Sequence, residues 1–540
     1  MPKILIEAIN IEKYFGDQKI FSFDNLKIYA GDKIGIIGAN GSGKTTLLNI
    51  LSGDILPDKG NVNRYCQVSF IKQFGEIEKG SDQKQLKEFK VSKQQTITTL
   101  SGGEKARIKI ASALKSNALI FADEPTSNLD FNGIELLLQK LNTYESFLLV
   151  SHDRNLIDRL CNKVIEIKDN KLIIYKGNYS FYLEESAKRL KNQQQQYENY
   201  IEEKIRLEKS LLEAKQRSKS VRKAPSRMGN SEARLHKGKT AEKRKKLDTG
   251  ANQIKNHLEK LEVKEKPMEL PKIKMDFSLT NPPSNKILIS SYDLSFSYEN
   301  KEIFKNASFE IKNSNKTAIY GENGSGKTTL LNLINEYNKN INIVPKAKLG
   351  YFYQGFENIE LNKSVLENAL ENSVQDKETV RLILARLLFR GDTVFKPASV
   401  LSGGERIKLS LAKLLVSDAN ILLLDEPTNY LDMPSTQVLQ ALINDYEGTV
   451  LFVSHDKDFV NNVADNLLII QDKKIISFEG NSSTYENSQK EKDNKDNDIE
   501  KISLQMKITE IISKLSSVKD SEKAALESEY NDLIKKLKTL

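Results

Sequence analysis

The chain has 540 residues, a formal net charge of +9 and a hydrophobic content of 39%. This length allows three or four domains, each large enough to bury a core of its own. No stretch approaches the roughly 18 continuous apolar residues of a membrane-spanning helix, so the sequence argues against a membrane protein. Cys66 and Cys161 lack metal-ligand spacing and are typical of a reducing compartment, so we expect a cytoplasmic protein.

Two glycine-rich loops recur in the same context, between an apolar run and a helical pattern. They read Gly38-Ala39-Asn40-Gly41-Ser42-Gly43-Lys44-Thr45-Thr46 and Gly321-Glu322-Asn323-Gly324-Ser325-Gly326-Lys327-Thr328-Thr329. Glycines let successive backbone N–H groups converge on a phosphate at a helix N-terminus. The pattern predicts that Lys44 and Lys327 reach the β- and γ-phosphates and that Thr45 and Thr328 ligate Mg²⁺. A chance glycine-rich loop is the alternative, but two loops in this context favour two nucleoside triphosphate sites.

Three further runs repeat in the same order behind each loop. They are Leu100-Ser101-Gly102-Gly103-Glu104 with Leu401-Ser402-Gly403-Gly404-Glu405, the apolar strands that end in Asp123-Glu124 and Asp425-Glu426, and Ser151-His152-Asp153 with Ser454-His455-Asp456. In this series the chain resembles an ATP-binding-cassette (ABC) ATPase with two tandem cassettes. The resemblance implies an α/β fold and ATP hydrolysis with Mg²⁺ in both halves.

The residues at the ends of these runs suit phosphoryl chemistry. A strand that ends in Asp123 or Asp425 brings a carboxylate to the Mg²⁺ shell. The next residue, Glu124 or Glu426, can take a proton from the attacking water or orient it. His152 and His455 end apolar runs, from which they can reach the γ-phosphate. A lone histidine is usually structural, but the matched context in both halves favours a role at the site.

Other candidates depend on the resemblance alone. Gln73 and Gln354 resemble the glutamines that sense Mg²⁺ and water, and Phe15 and Tyr298 resemble the aromatic residue that stacks on adenine. An ordinary core position is the alternative for the two aromatic residues. Because the cassettes of this family face each other head to tail, Ser101-Gly102-Gly103 would complete the site built on Lys327. Ser402-Gly403-Gly404 would complete the site built on Lys44, within a monomer whose cassettes pair intramolecularly.

The two cassettes differ in the spacing of their motifs. Lys44 and Asp123 are 79 residues apart, whereas Lys327 and Asp425 are 98 apart. Most of the difference lies between the glutamine and the signature serine. We therefore predict that the first cassette has a short helical subdomain and no inserted arm.

Between the cassettes, residues 181–280 predict a helical hairpin with a loop at its far end. Residues 215–246 contain thirteen basic side chains and two acidic ones, a one-sign charge that favours contact with nucleic-acid phosphates over an ordinary solvated face. The predicted tip consists of Lys219, Val221, Arg222, Lys223, Ala224, Pro225, Arg227, Met228, Arg234, Lys237, Lys243, Arg244, Lys245 and Lys246. Composition does not distinguish RNA from DNA.

Tandem cassettes joined by such a linker resemble the ABC-F family, whose members act on ribosomes. The missing arm, the long linker and the run Ala224-Pro225-Ser226-Arg227-Met228 resemble its antibiotic-resistance branch, the Vga, Lsa and Vml type. The resemblance implies that the linker enters the exit-tRNA site and displaces lincosamides, pleuromutilins and streptogramins A. It also implies contacts with large-subunit rRNA near the peptidyl-transferase centre and with peptidyl-site tRNA. A housekeeping translation factor of the same family and a DNA-associated ABC ATPase remain as alternatives.

The predicted domains are residues 1–180, 181–280, 281–485 and 486–540, the last of these a C-terminal helical extension. We expect a flexible connection from Glu486 to Ile499, because that segment is polar and charged. Apolar stripes then predict helices over about 502–515 and 526–537.

Overall fold

The computed structural model describes residues 2–71, 107–108, 110–111, 114, 118–126, 129–220, 230–264, 275–298, 301–352, 358–389, 391–429, 431–515, 533–535 and 537. Contacts divide the chain into two units, one of Met1–Ile174 with Lys272–Leu540 and the other of Tyr175–Pro271. No helix of the described residues is long and apolar enough to cross a membrane.

The first cassette is built on one nine-stranded sheet. Its strands are β1 (Ile4–Phe15), β2 (Gln18–Tyr29), β3 (Lys33–Gly38), β4 (Lys59–Arg64), β5 (Val68–Ile71), β6 (Leu119–Asp123), β7 (Phe147–Val150), β8 (Lys163–Lys168) and β9 (Lys171–Tyr175), in the spatial order β4-β1-β2-β9-β8-β3-β7-β6-β5. The central strands β3, β6 and β7 are parallel neighbours. Both β6 and β7 are buried throughout, as apolar runs covered on two faces should be.

Three short helices follow strands of this sheet. They are α1 (Lys44–Ser52), α2 (Phe131–Asn142) and α3 (Arg154–Leu160). Asp130 caps α2 by accepting a hydrogen bond from the Gly133 N–H, and Asp153 caps α3 by accepting one from the Leu156 N–H. Because these helices start at the carboxyl ends of parallel strands, the functional residues of the first cassette gather at that edge of the sheet.

The second unit consists of two long helices, α4 (Tyr179–Lys219) and α5 (Asn230–Lys260). Ser218 near the end of α4 donates to Asp248 Oδ1 at 2.5 Å. Asp248 lies 18 residues into α5, so the start of α5 does not lie beside the end of α4, as a short hairpin loop would require. The expected linker of two long helices is confirmed, and residues 221–229, which lead from one helix to the other, lie outside the described residues.

The second cassette repeats the plan with two sheets. Its strands are β10 (Ile287–Tyr298), β11 (Lys301–Lys312), β12 (Lys316–Gly321), β13 (Asn342–Ile343), β14 (Leu349–Phe352), β15 (Ile421–Asp425), β16 (Thr449–Val453), β17 (Asn466–Gln471) and β18 (Lys474–Glu479). One sheet has the order β14-β15-β16-β12-β17-β18 and the other β11-β10-β13. The helices of this cassette are α6 (Lys327–Asn335), α7 (Val365–Leu370), α8 (Lys377–Arg386), α9 (Gly403–Val416), α10 (Met433–Asp445) and α11 (Lys457–Val463).

The helical subdomain of the second cassette contains α7, α8 and α9. Buried Leu366, Leu384 and Leu411 belong to one core with the sheet residues Phe352 and Leu424. In the first cassette the matching segment falls within residues 72–117, of which the structure describes 107, 108, 110, 111 and 114. The predicted shortening of that subdomain therefore lies outside the described residues.

The C-terminal extension begins with one continuous helix, α12 (Ser482–Leu515). The expected flexible connection from Glu486 to Ile499 is wrong. No glycine or proline interrupts the segment, so nothing in it stops a helix, although half of its residues are asparagine, aspartate or serine. Most of the predicted second helix, from 526 to 537, lies outside the described residues. The α/β class itself is confirmed, with its core on parallel strands in both cassettes.

Candidate functional site

The two glycine-rich loops have the same backbone geometry. Gly43 and Gly326, each directly before a helix, have φ angles of 97° and 107°. A Cβ on Gly43 would lie 2.5 Å from Ile20 Cγ2, and one on Gly326 would lie 2.5 Å from Ile303 Cγ2. A side chain is therefore excluded by both strain and space. The loops are cradles of backbone N–H groups that open at the N-termini of α1 and α6, where an anion is favoured.

The lysine of each phosphate loop hydrogen bonds to the backbone of its own loop. Lys44 Nζ donates to Gly38 O at 2.9 Å and to Ala39 O at 3.1 Å. Lys327 Nζ makes the same pair of hydrogen bonds in the second cassette, to the carbonyl oxygens of the first two loop residues, at 2.9 and 3.0 Å. Burial lowers the pKa of both lysines, and the neighbouring carboxylates oppose this shift. A phosphate group in the cradle supplies the negative charge that a buried ammonium group favours.

The threonine after each lysine faces the aspartate at the end of the neighbouring strand. Thr45 Oγ1 donates to Asp123 Oδ2 at 2.8 Å, and Thr328 hydrogen bonds to Asp425. Asp123 Oδ1 is buried and accepts no hydrogen bond from a described residue. Burial raises the pKa of both aspartates.

Hydroxyl and carboxylate oxygens that converge in a buried place fit a hard cation such as Mg²⁺. Thr45 and Asp123 would hold the ion in the first cassette, and Thr328 and Asp425 would hold it in the second. The bound ion supplies positive charge that offsets the charge of the phosphate oxygens.

A glutamate and a histidine meet at each site. His152 Nε2 lies 3.2 Å from Glu124 Oε1, and the His152 N–H donates to Glu124 Oε2 at 3.3 Å. In the second cassette the corresponding distances between His455 and Glu426 are 3.3 and 3.2 Å. Glu124 and Glu426 have φ angles of 46° and 49°, in the left-handed region that residues other than glycine rarely adopt. Backbone strain of this kind persists where the surroundings fix the residue, as they do at many active sites.

Burial sets the protonation of these pairs. It raises the pKa of Glu124 to about 8 and that of Glu426 to about 7, and it lowers the pKa of both histidines to about 4. Both pKa shifts favour the neutral form of the group, so each imidazole is neutral and can donate one hydrogen bond and accept another. The Lys44 ammonium counteracts the shift at Glu124 by favouring the carboxylate. The form of each glutamate that has lost its proton can take one from a water molecule.

The cassettes also contact each other through two aspartates to which the sequence analysis gave no role. Asp432 Oδ2 accepts a hydrogen bond from the Asn40 N–H at 2.8 Å, and Asp130 Oδ2 accepts one from the Asn323 N–H at 3.3 Å. The second oxygen of each aspartate caps the helix that follows, α2 or α10. Each phosphate loop thus contacts the opposite cassette, in the head-to-tail arrangement that the resemblance implied.

A basic residue lies beside each of these aspartates. Arg107 Nη2 donates to Asp130 Oδ1 at 2.7 Å. Against the effect of burial, hydrogen bonds from Ser435 and Asn40, together with the Lys408 ammonium, lower the pKa of Asp432. Arg107 and Lys408 both follow the signature serine by six residues. Both aspartates end repeated runs in the sequence, Thr126-Ser127-Asn128-Leu129-Asp130 and Thr428-Asn429-Tyr430-Leu431-Asp432. That repetition was a signal for a function, but only the fold shows that they reach the other cassette.

The structure describes some of the remaining predicted site residues and leaves others outside the described residues. Ser402 caps α9, with Gly403 and Gly404 in its first turn, and forms a reciprocal pair of hydrogen bonds with Glu405. Ser101, Gly102, Gly103, Gln73 and Gln354 lie outside the described residues. Phe15 and Tyr298 end β1 and β10 with 56% and 53% of their surface exposed, so neither is the core aromatic of the alternative interpretation. Exposure of this kind is what a residue that stacks on a base requires.

The predicted linker tip is partly described. Lys219, Lys245 and Lys246 are exposed residues on α4 and α5. The backbone of Arg234, Lys237, Lys243 and Arg244 belongs to α5, but their side chains lie outside the description. Val221, Arg222, Lys223, Ala224, Pro225, Arg227 and Met228 lie outside the described residues.

Comparison with known proteins gives matches along the whole chain. Two family models, both described as ABC transporter, match residues 22–78 with 304–429 and residues 165–249. The ribosome protection protein VmlR of Bacillus subtilis (strain 168) is 30% identical, over 100% of this chain and 98% of that protein. The erythromycin resistance ATP-binding protein MsrA of Staphylococcus epidermidis is 31% identical, over 86% of this chain and 97% of the relative. The chain belongs to the ABC-F family.

Two further comparisons concern the family and the fold, respectively. ABC transporter F family member 5 of Arabidopsis thaliana is 28% identical, over 89% of this chain and 77% of that protein. A solved structure titled RNase-L Inhibitor has the same fold, with a TM-score of 0.57 at 20% identity over 85% of this chain and 87% of the other. This ABC-F protein is therefore an ATPase of two tandem nucleotide-binding domains that uses ATP with Mg²⁺.

Proposed function

We propose that this ABC-F ATPase binds the ribosome and protects it from antibiotics that act at the peptidyl-transferase centre. The linker would enter through the exit-tRNA site and displace the drug, and ATP hydrolysis would permit release. The observation that carries the proposal is the alignment with the ribosome protection protein VmlR, which spans nearly the full length of both chains and includes the linker. The erythromycin resistance protein MsrA is similar to an equal degree.

The linker supplies the physical argument for a nucleic-acid partner. Its two helices have 41 and 31 residues, and a 41-residue helix is about 60 Å long. Lys219, Lys245 and Lys246 are exposed on these helices. They belong to residues 215–246, which contain thirteen basic side chains and two acidic ones. Lysines and arginines bind phosphates and release counterions, which gives affinity without sequence preference.

The two catalytic centres suit a protein that switches between ATP-bound and released states. Each site has its lysine, aspartate, glutamate and histidine in matched geometry, and each phosphate loop contacts the opposite cassette. We propose that ATP holds the cassettes together on the ribosome and that hydrolysis at both sites frees the protein. Glu124 and Glu426 are the proposed general bases. The roles that the sequence analysis predicted for the other site residues are part of the same proposal.

A housekeeping translation factor of the same family is the second candidate. It is favoured by the similarity to ABC transporter F family member 5, whose name carries no resistance function and whose identity to this chain is nearly that of VmlR. A DNA-associated ATPase is the third candidate, because a basic linker would also suit binding to DNA phosphates. Each candidate predicts a different result in the binding and drug tests.

The first test is co-sedimentation of the E124Q/E426Q protein with ribosomes in ATP. The proposal expects ATP-dependent binding, whereas binding to duplex DNA instead would support the DNA-associated reading. Expression of the wild-type chain should then raise the inhibitory concentrations of lincosamides, pleuromutilins or streptogramins A, with erythromycin as a comparison. Ribosome binding without any change in susceptibility would favour the housekeeping factor.

The linker is tested by removing residues 216–240 and bridging the ends. Basal ATP hydrolysis should persist, because the described nucleotide contacts lie in the cassettes, while drug protection should be lost. Ser218→Ala is a control that removes the Ser218–Asp248 hydrogen bond without changing charge. Resistance that survives the deletion would contradict the proposed role of the linker.

Charge and shape in the linker can be separated. Replacing Lys243, Arg244, Lys245 and Lys246 with glutamine should weaken ribosome binding and lower its salt slope by up to about four. Glutamine at the exposed Lys286, Lys301, Lys339 and Lys474 of the second cassette removes the same charge elsewhere and is the control. Changes at Val221, Ala224, Pro225 or Met228 should instead alter the ranking of the drugs while affinity stays nearly constant.

A further inference from the structure

Two long helices of this chain begin with the same capping arrangement. Asn178 caps α4 by accepting a hydrogen bond from the Phe181 N–H, and Asn481 accepts one from the Thr484 N–H at the start of α12, both at 3.1 Å. In each helix, a tyrosine packs edge-on against the last aromatic residue of the preceding strand, which lies seven positions earlier in the sequence. The ring centroids are 5.0 Å apart for Tyr175 with Tyr182 and 5.2 Å apart for Phe478 with Tyr485. The C-terminal helix is thus joined to its cassette as the first linker helix is joined to its strand.

The start of α12 has a further set of contacts that reach the second ATP site. Glu486 Oε1 accepts hydrogen bonds from Lys457 Nζ at 2.7 Å and from the Tyr320 hydroxyl at 3.4 Å. The ring of Tyr485 meets that of Tyr320 with centroids 6.2 Å apart and planes at 67°. Tyr320 is the residue directly before Gly321, the first residue of the phosphate loop. Lys457 is two residues after His455.

A second group of hydrogen bonds joins α12 to α11. Asn461 Oδ1 accepts from Ser482 Oγ at 2.7 Å and from the Ser483 N–H at 3.0 Å. Asn481 Nδ2 donates to Asn461 O at 3.2 Å. Helix α11 starts two residues after His455, so α12 is bonded to both segments that carry groups for the γ-phosphate: the strand that leads into the phosphate loop and the helix behind the histidine.

The first cassette has different residue types at the matching positions. Ile37 stands before Gly38 where Tyr320 stands before Gly321, and Leu183 follows Tyr182 where Glu486 follows Tyr485. Neither side chain can donate or accept a hydrogen bond. Arg154 matches Lys457, and its Nη2 donates across the cassette interface to Met433 O at 3.4 Å. The three-residue connection of Tyr320, Lys457 and Glu486 is therefore a property of the second site.

We propose that Glu486 is a positioning residue for the ATP site built on Lys327, and that through it the C-terminal helix α12 controls that site more than the one built on Lys44. Its carboxylate holds Lys457 and Tyr320 together, so that displacement of α12 moves the phosphate loop relative to His455. Small displacements of reacting groups have large kinetic effects. The proposal concerns ATP hydrolysis and stands apart from the ribosomal role.

The side chains involved are neither fully buried nor free in solvent. The Lys457 and Glu486 side chains are 25% and 36% exposed, so the ion pair contributes less than a buried pair would. Tyr320 is more deeply buried, and burial together with the Glu486 charge raises the pKa of its hydroxyl, which stays protonated and donates. Glu486 thus affects catalysis chiefly through geometry, because the stabilisation from such a pair is small.

Hydrogen exchange can test the coupling directly. In the E124Q/E426Q full-length protein, ATP should slow exchange of the backbone amides of residues 482–490, because binding at one end of a coupled pair stabilises the other. Adding Lys327→Ala should abolish this protection, and adding Lys44→Ala should leave it. Glu486→Ala should also abolish it while the amides of residues 321–329 stay protected by ATP. Protection of α12 that is absent, or that depends equally on the two lysines, overturns the proposal.

Steady-state kinetics separate positioning from structural support. With Glu124→Gln present, Glu486→Ala should lower kcat about fivefold and change KM for ATP less than about twofold, since it affects alignment rather than binding. With Glu426→Gln present, the loss of kcat should be clearly smaller, because the Glu486 and Lys457 charges act on Arg159 and Asp153 of the first cassette electrostatically. Glu479→Gln breaks the Lys312–Glu479 ion pair on β18 and is the matched control, with no effect expected in either background. Glu486→Gln and Tyr320→Phe should give intermediate losses, and an equal loss in both backgrounds would reduce Glu486 to a structural residue.

Discussion

The two ATP sites agree in their reacting groups and differ in what surrounds them. The lysine-to-carbonyl, glutamate-to-histidine and aspartate-to-opposite-loop contacts recur in both cassettes, and the first two agree to within about 0.1 Å. By contrast, the residue before the phosphate loop is Ile37 in one cassette and Tyr320 in the other, and only the second is bonded to a long C-terminal helix. Phosphoryl chemistry fixes the positions of a few groups closely, whereas the neighbouring surface can vary and give each site a different connection.

The largest effect is expected from the two glutamates. Replacing both Glu124 and Glu426 with glutamine should lower ATP hydrolysis by about 10²–10⁴-fold, because the water loses its proton acceptor. ATP binding should persist, since the phosphate loops and the threonine–aspartate pairs are unchanged. Phosphate release and nucleotide binding are the two measurements. Because both glutamates have the same geometry, the single variants should show equal losses, and a double variant with near wild-type turnover would refute their assignment.

The metal contacts should give the next largest effect. Thr45→Ala and Thr328→Ala each remove a predicted Mg²⁺ ligand that also hydrogen bonds to the neighbouring aspartate. The Mg²⁺ concentration for half-maximal hydrolysis should rise at least about tenfold, and by a similar factor for the two variants. Ser52→Ala at the end of α1 is the control, since its hydroxyl donates to Asn49 O and accepts from the Asp54 N–H, away from the threonine–aspartate pair. An unchanged Mg²⁺ dependence would exclude the threonines as ligands.

The contacts between cassettes should reveal a modest asymmetry. Asp432→Ala and Asp130→Ala each remove a helix cap and a hydrogen bond to the opposite phosphate loop. The Asp432 contact is shorter, 2.8 Å against 3.3 Å, so its loss should cost more activity, up to about tenfold in ATP turnover. Asparagine at either position keeps an oxygen for the cap and should lose less. If the alanine variants lower thermal stability but leave turnover intact, the aspartates act only as caps.

The smallest effect concerns the caps of α4 and α12. Asn178→Ala and Asn481→Ala should each cost about 1 kcal/mol locally, which corresponds to about fivefold faster exchange of the Phe181 or Thr484 amide. Exchange measured on both variants tests whether the two helix starts are equivalent. Asn481→Ala also removes the bond to Asn461 O and should in addition lower turnover at the second site slightly. Equal kinetic effects of both variants would weaken the distinction between the two helix starts.

Local sequence was sufficient for much of the site. The phosphate loops, the strand-end aspartates and the paired histidines were predicted from spacing and context, and the structure places them together in both cassettes. These groups are close in space because parallel strands bring their carboxyl ends to one edge. The continuous α12 was not predicted from the sequence, because residues 486–499 are polar and half of them are asparagine, aspartate or serine, which are weak helix formers.

Long-range contacts needed the tertiary structure. Asp432 and Asn40 are 392 residues apart, and Glu486 and Tyr320 are 166 apart, so no periodicity or motif spacing relates them. The sequence by itself determined which residues can bind phosphate and metal, since that chemistry depends on residue type and on a short loop. Only the folded chain decided which cassette each loop contacts and which site the C-terminal helix meets, because both depend on how separate elements pack.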